Sequence, residues 1–139
     1  MENTTILQPV FVQVVLTFFL MLWMAKERLG AIRDGTVQRG QPGTRPVWVG
    51  RAGYVSNAYH NQLEAPMLFY AVVAFAMMTN AIDWKLTALA WAYVGFRVLQ
   101  ASIHTTYNNI LHRFLAFLAG NVVLMIMWLL LAMHVLFRT

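Results

Sequence analysis

Hydrophobic residues gather into four long runs along this chain, at 9–25, 63–79, 84–103 and 114–137. Each is near the length of about 20 residues that a helix needs to cross hydrocarbon. The runs are continuous rather than alternating and are rich in Leu, Ala and Met, which predicts helices and argues against a β-barrel. With flanking residues, the predicted spans are about 9–25, 60–80, 84–106 and 112–137. Between the first two lies 26–53, which holds glycines at 30, 35, 40, 43, 50 and 53 and prolines at 42 and 46; turn chemistry predicts a loop there. The short connection 80–83 makes the second and third spans an antiparallel hairpin. No internal repeat or low-complexity tract stands out, and a single four-helix transmembrane domain over 1–139 is expected.

Polar positions interrupt this pattern in an ordered way. Asn57, His60, Asn61 and Glu64 are separated by 3, 4 and 7 residues from the first, so on one continuous helix they share a face, one wall of a polar site inside the membrane. An ionisable group at such depth costs several kcal/mol unless it is paired or meets water, which makes Glu64 a functional candidate. Pro66 follows it, removes a backbone donor and predicts a kink beside it. The third span carries Arg97, Gln100, His104 and Tyr107 at spacings of 3, 4 and 3, again one polar face. Glu64 and Arg97 are expected to form an ion pair, either as a lock between helices or as part of a ligand site.

The composition agrees with membrane burial. With 139 residues, 60% hydrophobic, and a mean hydropathy of +0.58, the chain has too little polar surface to wrap a soluble globule. The first run has no preceding Lys or Arg and no small-residue cleavage site before Lys26, so a retained span is expected rather than a signal peptide. Lys26, Arg28, Arg33, Arg39, Arg45 and Arg51 all fall in the first loop, with only Lys85 and Arg138 near the opposite ends. The positive-inside rule then places that loop, and the His112–Arg113 turn, on the cytoplasmic side with both termini outside. The net charge of +5 is explained by topology, and the spaced arginines lack the aromatic and groove-reading context of a nucleic-acid binder. Asn121, Gln13 and Thr17 are expected to make interhelical hydrogen bonds. The histidines at 60, 104 and 112 lack ligand spacing within one helix, so no metal site is expected. The chain has 0 cysteines, which removes disulfides and any thiol nucleophile of its own.

The four-span layout, the basic first loop and the stretch Asn57-Ala-Tyr-His-Asn-Gln-Leu-Glu-Ala-Pro66 resemble the MAPEG family, membrane-associated proteins in eicosanoid and glutathione metabolism. The Asn61 and Glu64 pair carries the family's Asn-x-x-Glu signature, and a second similar stretch runs from Phe96 to Tyr107, followed by His112-Arg113-Phe114. The likeness covers essentially the whole chain and is closest to small bacterial members. It implies an all-α membrane protein, a homotrimer of four-helix bundles in a bacterial inner membrane, with glutathione as cosubstrate between subunits near the cytoplasmic face. By resemblance, Asn61 and Glu64 hold the backbone and amino end of glutathione. Arg51, Asn57, His60, Arg97 and His104 complete the binding network, and Arg113 lies near the sulfur, with Tyr107 as a second catalytic candidate. Gln100 stands where many members carry histidine, and Phe117 where some animal enzymes carry tyrosine.

The expected chemistry is simple. A free thiol with a pKa of about 8.5 is only about 3% thiolate at pH 7, and lowering it by about two units makes thiolate the main form. Arg113 can do this by charge, after which a lipophilic electrophile arriving from the membrane lipids is conjugated or reduced. Two rivals remain open: a non-catalytic lipid- or glutathione-binding protein of the same fold, and a small transporter lined by Glu64 and Arg97. No broken-helix repeat pair of the transporter kind is visible.

Overall fold

Proline cannot donate to the carbonyl four residues back, and a helix that meets one in mid-membrane must bend or stop. Here it stops. The computed structural model describes residues 4–38 and 46–137, which form α1 (Leu7–Asp34), α2 (Arg51–Asn61), α3 (Ala65–Met78), α4 (Trp84–Thr105) and α5 (Ile110–Leu136). The second apolar run is thus two helices. Gln62 caps the end of α2, Glu64 adopts a non-helical conformation with φ −95° and ψ −97°, and α3 restarts with Pro66 in its first turn, where a missing N–H costs nothing. Glu64 therefore does not continue one helical face from Asn57; the expected kink is a complete interruption.

α1 is longer than the expected span. It continues through residues 26–34, which turn chemistry assigned to the loop, and ends at Gly35 with φ 73°. Gly35 N–H bonds the Ile32 carbonyl at 3.2 Å and Thr36 N–H the Ala31 carbonyl at 3.0 Å, a left-handed helix end that glycine adopts without steric cost. Beyond it, Gln38 and Val47 exchange backbone hydrogen bonds in an isolated antiparallel bridge; no strand forms among the described residues. At the start of α2 the Trp48 carbonyl passes so close to Gly53 that a Cβ would sit 2.5 Å from its oxygen, so only glycine fits there. Arg39, Arg45 and Arg138 lie outside the described residues.

The 4-residue reach from Thr106 to Asn109 folds α5 back along α4, the closest helix pair, while α1 packs on α2 and α4, and α3 on α5. One apolar core joins α3, α4 and α5 through Phe69, Val72, Ala90, Tyr93, Leu124 and Met127, with the Phe69 and Tyr93 rings stacked at 4.7 Å. A smaller core of Leu20, Ala58 and Ala101 ties α1 and α2 to α4. Outward-facing Phe11, Phe18, Met67 and Leu129 are exposed, which suits a lipid surface. Helices α1, α4 and α5 are long and apolar enough to cross a membrane. α3, with 14 residues, covers about 21 Å, short of the roughly 30 Å of hydrocarbon. The chain is an integral membrane protein.

The interruption is held by side chains. Gln62 is buried, its amide nitrogen donates back to the Ala58 carbonyl at 3.1 Å, and its amide oxygen accepts from Gln13 on α1 at 2.6 Å. Gln13 thus makes the interhelical bond expected of it, and Thr17 both bonds the Gln13 carbonyl within its own helix at 2.9 Å and meets the Tyr70 hydroxyl on α3. Replacing Gln13 by Leu is expected to lower stability by about 1 kcal/mol, measured by unfolding in mixed detergent micelles. Combining it with Gln62→Leu should cost less than the sum of the two single changes; full additivity would show that the pair is not coupled.

Candidate functional site

A helix that ends in mid-bundle leaves its last carbonyls without partners, and the carbonyl of Asn61 at the end of α2 finds one in Arg97. The Arg97 side chain is 2% exposed and its Nη2 donates to Asn61 O at 2.6 Å. A cation is also favoured at that pole of the α2 dipole. Glu64 sits at the other side of the gap, at the N-terminal pole of α3, where a carboxylate is favoured for the same reason. The two charges therefore serve opposite lips of the break. The direct ion pair expected between them does not form within the chain among the described residues.

Beside this break a cavity of about 490 Å³ opens between α2, α4 and α5. It gathers Asn57, His60, Asn61, Glu64, His104 and Arg113, with Gln100 in its wall and Ile110, Phe114 and Phe117 as its apolar side. Asn57 and Glu64 are exposed, whereas Gln100 and His104 are buried. Gln100 Oε1 is buried without a partner among the described residues, and such a group ordinarily has one.

His104 links the two halves of the site. Its Nε2 lies 3.2 Å from Arg113 Nη1 and its Nδ1 lies 3.4 Å from the Asn61 amide. A guanidinium can only donate, so Nε2 is the acceptor and the ring proton sits on Nδ1. Asn61 must then present its amide oxygen to that N–H, which turns its NH₂ group away from His104. The same Arg113 Nη1 donates to Asn108 Oδ1 at 2.9 Å. Asn108 takes φ 48° in the turn after α4, a left-handed conformation that asparagine tolerates, and Asn109 caps α5 by accepting from His112 N–H at 3.1 Å. The α4–α5 turn thus fixes Arg113 in the first turn of α5, where it adds its charge to the positive end of the helix dipole.

A second cavity of about 710 Å³ adjoins the first along Asn57 and His60. Arg28, from the helical extension of α1, lines it: Nε donates to Ser56 Oγ at 3.0 Å, Nη2 lies 3.4 Å from His60 Nε2, and the guanidinium stacks 4.8 Å from the Trp48 ring centroid. In the sequence Arg28 counts only as loop charge, and nothing in its own neighbourhood singles it out. Three expected site residues stand apart from the cavity. Arg51 is exposed at the first residue of α2, Arg97 lies behind the wall holding Asn61, and Tyr107 is 62% exposed with its hydroxyl 3.1 Å from His112 Nδ1.

Arg97→Leu is expected to destabilise the fold by about 1–3 kcal/mol by leaving the Asn61 carbonyl unpaired, and to speed amide hydrogen exchange around the break. Arg97→Lys should recover part of both. Exchange that stays at the wild-type rate in the leucine variant would remove Arg97 as the support of the break.

No curated protein and no solved structure matches the chain significantly. The sequence model of the MAPEG family matches residues 6–133.

Proposed function

The chain belongs to the MAPEG family, which includes glutathione-dependent enzymes as well as non-catalytic members, and on that premise we propose that it is a glutathione-dependent membrane transferase. The observation that carries this reading is the convergence of Glu64, Asn61 and Arg113 on one cavity with a second cation, Arg28, on the wall of the adjoining one. Both volumes fall in the range of about 300–1,000 Å³ common for small-molecule sites. The donor set suits a peptide thiol with two carboxylates and one ammonium group. Glu64 faces the ammonium, Arg28 a carboxylate, and the Asn57 and Asn61 amides with the unpartnered Gln100 oxygen meet the peptide groups.

Glutathione supplies the sulfur nucleophile; the protein binds it and biases its ionisation. Arg113 and the α5 N-terminus favour the thiolate by charge, and the neutral His104 keeps the guanidinium pointed at the cavity rather than competing as a second cation. Attack on an aromatic halide forms a carbon–sulfur bond and releases halide with the bonding pair. Phe114 and Phe117 offer the apolar side to an electrophile arriving from the bilayer.

The same reading places the site between subunits. Asn57 and Glu64 are exposed on a single chain at a level where lipid contact is costly, and a homotrimer would cover them with a neighbour. In it, α2 and α3 together make the second of four crossings, with the basic first loop and the cavity on the cytoplasmic side of a bacterial inner membrane. One observation favours a non-catalytic binder instead: the cavity lining holds no hydroxyl among the described residues, so activation rests on Arg113 and the α5 N-terminus.

Detergent-purified protein is expected to bind glutathione with the ultraviolet absorbance of a thiolate and to turn over an aromatic halide. Arg113→Ala should lower turnover about a hundredfold and remove the thiolate signal while retaining affinity. Tyr107→Phe should stay within about twofold of wild type, as a surface change does. Absence of binding at millimolar glutathione would sink the proposal, and binding without turnover would select the non-catalytic reading.

A further inference from the structure

At the opposite end of α4 from the polar cavity, about 20 Å away along the helix, lies a second built feature. Trp84, Thr87, Ala88 and Trp91 are spaced by 3, 4 and 7 residues from the first and share one face, turned away from the core positions Leu86, Ala90 and Tyr93. The two indoles stand two turns apart, about 10 Å, with only a threonine and an alanine between them. They form the walls of a notch. Asp83, Ile82 and Thr5 close its outer end, and the enclosed space is about 630 Å³. Trp84 is 76% exposed and Trp91 43%, so neither ring is used to fill the core.

The charges at the notch are fixed. Asp83 caps α4, its Oδ1 accepting from Leu86 N–H at 2.9 Å and its carbonyl from the Thr87 hydroxyl at 3.1 Å. The cap engages Oδ1 alone, and Asp83 lines the mouth of the notch. Lys85 Nζ lies 6.0 Å from the Trp84 ring centroid, which puts a cation beside one wall of the notch. An anion and a cation flanking two aromatic walls complement a zwitterion rather than a simple ion.

We propose that this notch is a binding site for the headgroup of phosphatidylethanolamine. The indole faces attract the ammonium group, and the Asp83 carboxylate accepts its N–H in a charge-assisted hydrogen bond. Lys85 meets the phosphate. Tryptophan at a span end belongs at headgroup depth, and the acyl chains run along the lipid-facing surface of α4 toward Val98 and Leu99, both exposed. A choline headgroup offers a cation but no N–H to Asp83, and a glycerol headgroup offers no cation at all. The site is independent of the glutathione reading.

Native mass spectrometry of the detergent-purified protein, titrated with ethanolamine, choline and glycerol phospholipids of identical chains, tests the assignment. The ethanolamine lipid should be retained about fivefold over the glycerol lipid, the factor expected of two exposed cation–π contacts. Asp83→Asn keeps an effective helix cap and should reduce ethanolamine retention to that of choline. The Trp84→Ala/Trp91→Ala double variant, altered only at exposed positions, should abolish both preferences at an unchanged melting temperature. Equal retention of the three lipids by the wild type overturns the proposal, as does a preference for ethanolamine over choline that survives Asp83→Asn, or one for ethanolamine over glycerol that survives the double tryptophan change.

Discussion

The structure depends on how one broken helix is satisfied inside a bilayer. Hydrocarbon offers no partner to a free carbonyl or N–H, so the gap between Asn61 and Ala65 has to be closed by side chains from elsewhere in the bundle. Arg97 reaches from α4 to the Asn61 carbonyl, and Gln13 reaches from α1 to Gln62. Both contacts couple the break to the packing of neighbouring helices, which explains why a proline and a carboxylate can stand two residues apart in an apolar run without melting it.

That solution also makes the site. Because α2 stops at Asn61, the Asn61 side chain and Glu64 project at the edge of the gap instead of continuing a regular stripe. His104, four positions past Gln100 on the polar face and one turn deeper than Tyr107, stands between Asn61 on one side and Arg113 on the other. The imidazole transmits the position of the break to the guanidinium through fixed hydrogen bonds. Asn108 holds the same guanidinium from the turn. A charge intended to act on a thiol must be held in place before the ligand arrives, since reorganising it during the reaction would consume the stabilisation it provides.

The legible part of the site consists of residues whose spacing carries the information. Asn57, His60, Asn61 and Glu64 could be found because helical periodicity places them together, and His104 because it repeats the pattern on the next long helix; all of them line the cavity. Arg97 and Tyr107 belong to that second stripe too, yet one is buried behind the wall and the other turns to His112. A stripe spans a wide arc of helix surface, and the difference between its edges is set by the neighbour, not by the repeat. The Glu64–Arg97 pairing was the natural expectation from opposite charges, but a backbone carbonyl left by the break competes for the guanidinium and wins it. Arg28 is not legible as a site residue because its approach to Ser56 and His60 requires α1 to run on past Ala25, where the apolar run ends.

Taken alone, the order of residues determined that this is an all-helical integral membrane protein with its polar groups concentrated at one site, because hydropathy runs and helical periodicity are local properties of a chain. It also determined that something must yield at Pro66, since the missing donor is covalent. Only the tertiary structure decided that the helix stops rather than bends, that Arg97 answers a carbonyl rather than Glu64, and that Arg28 and Asn108 join the site. Those outcomes turn on which partner lies within hydrogen-bond reach, and reach across separate helices is fixed by packing.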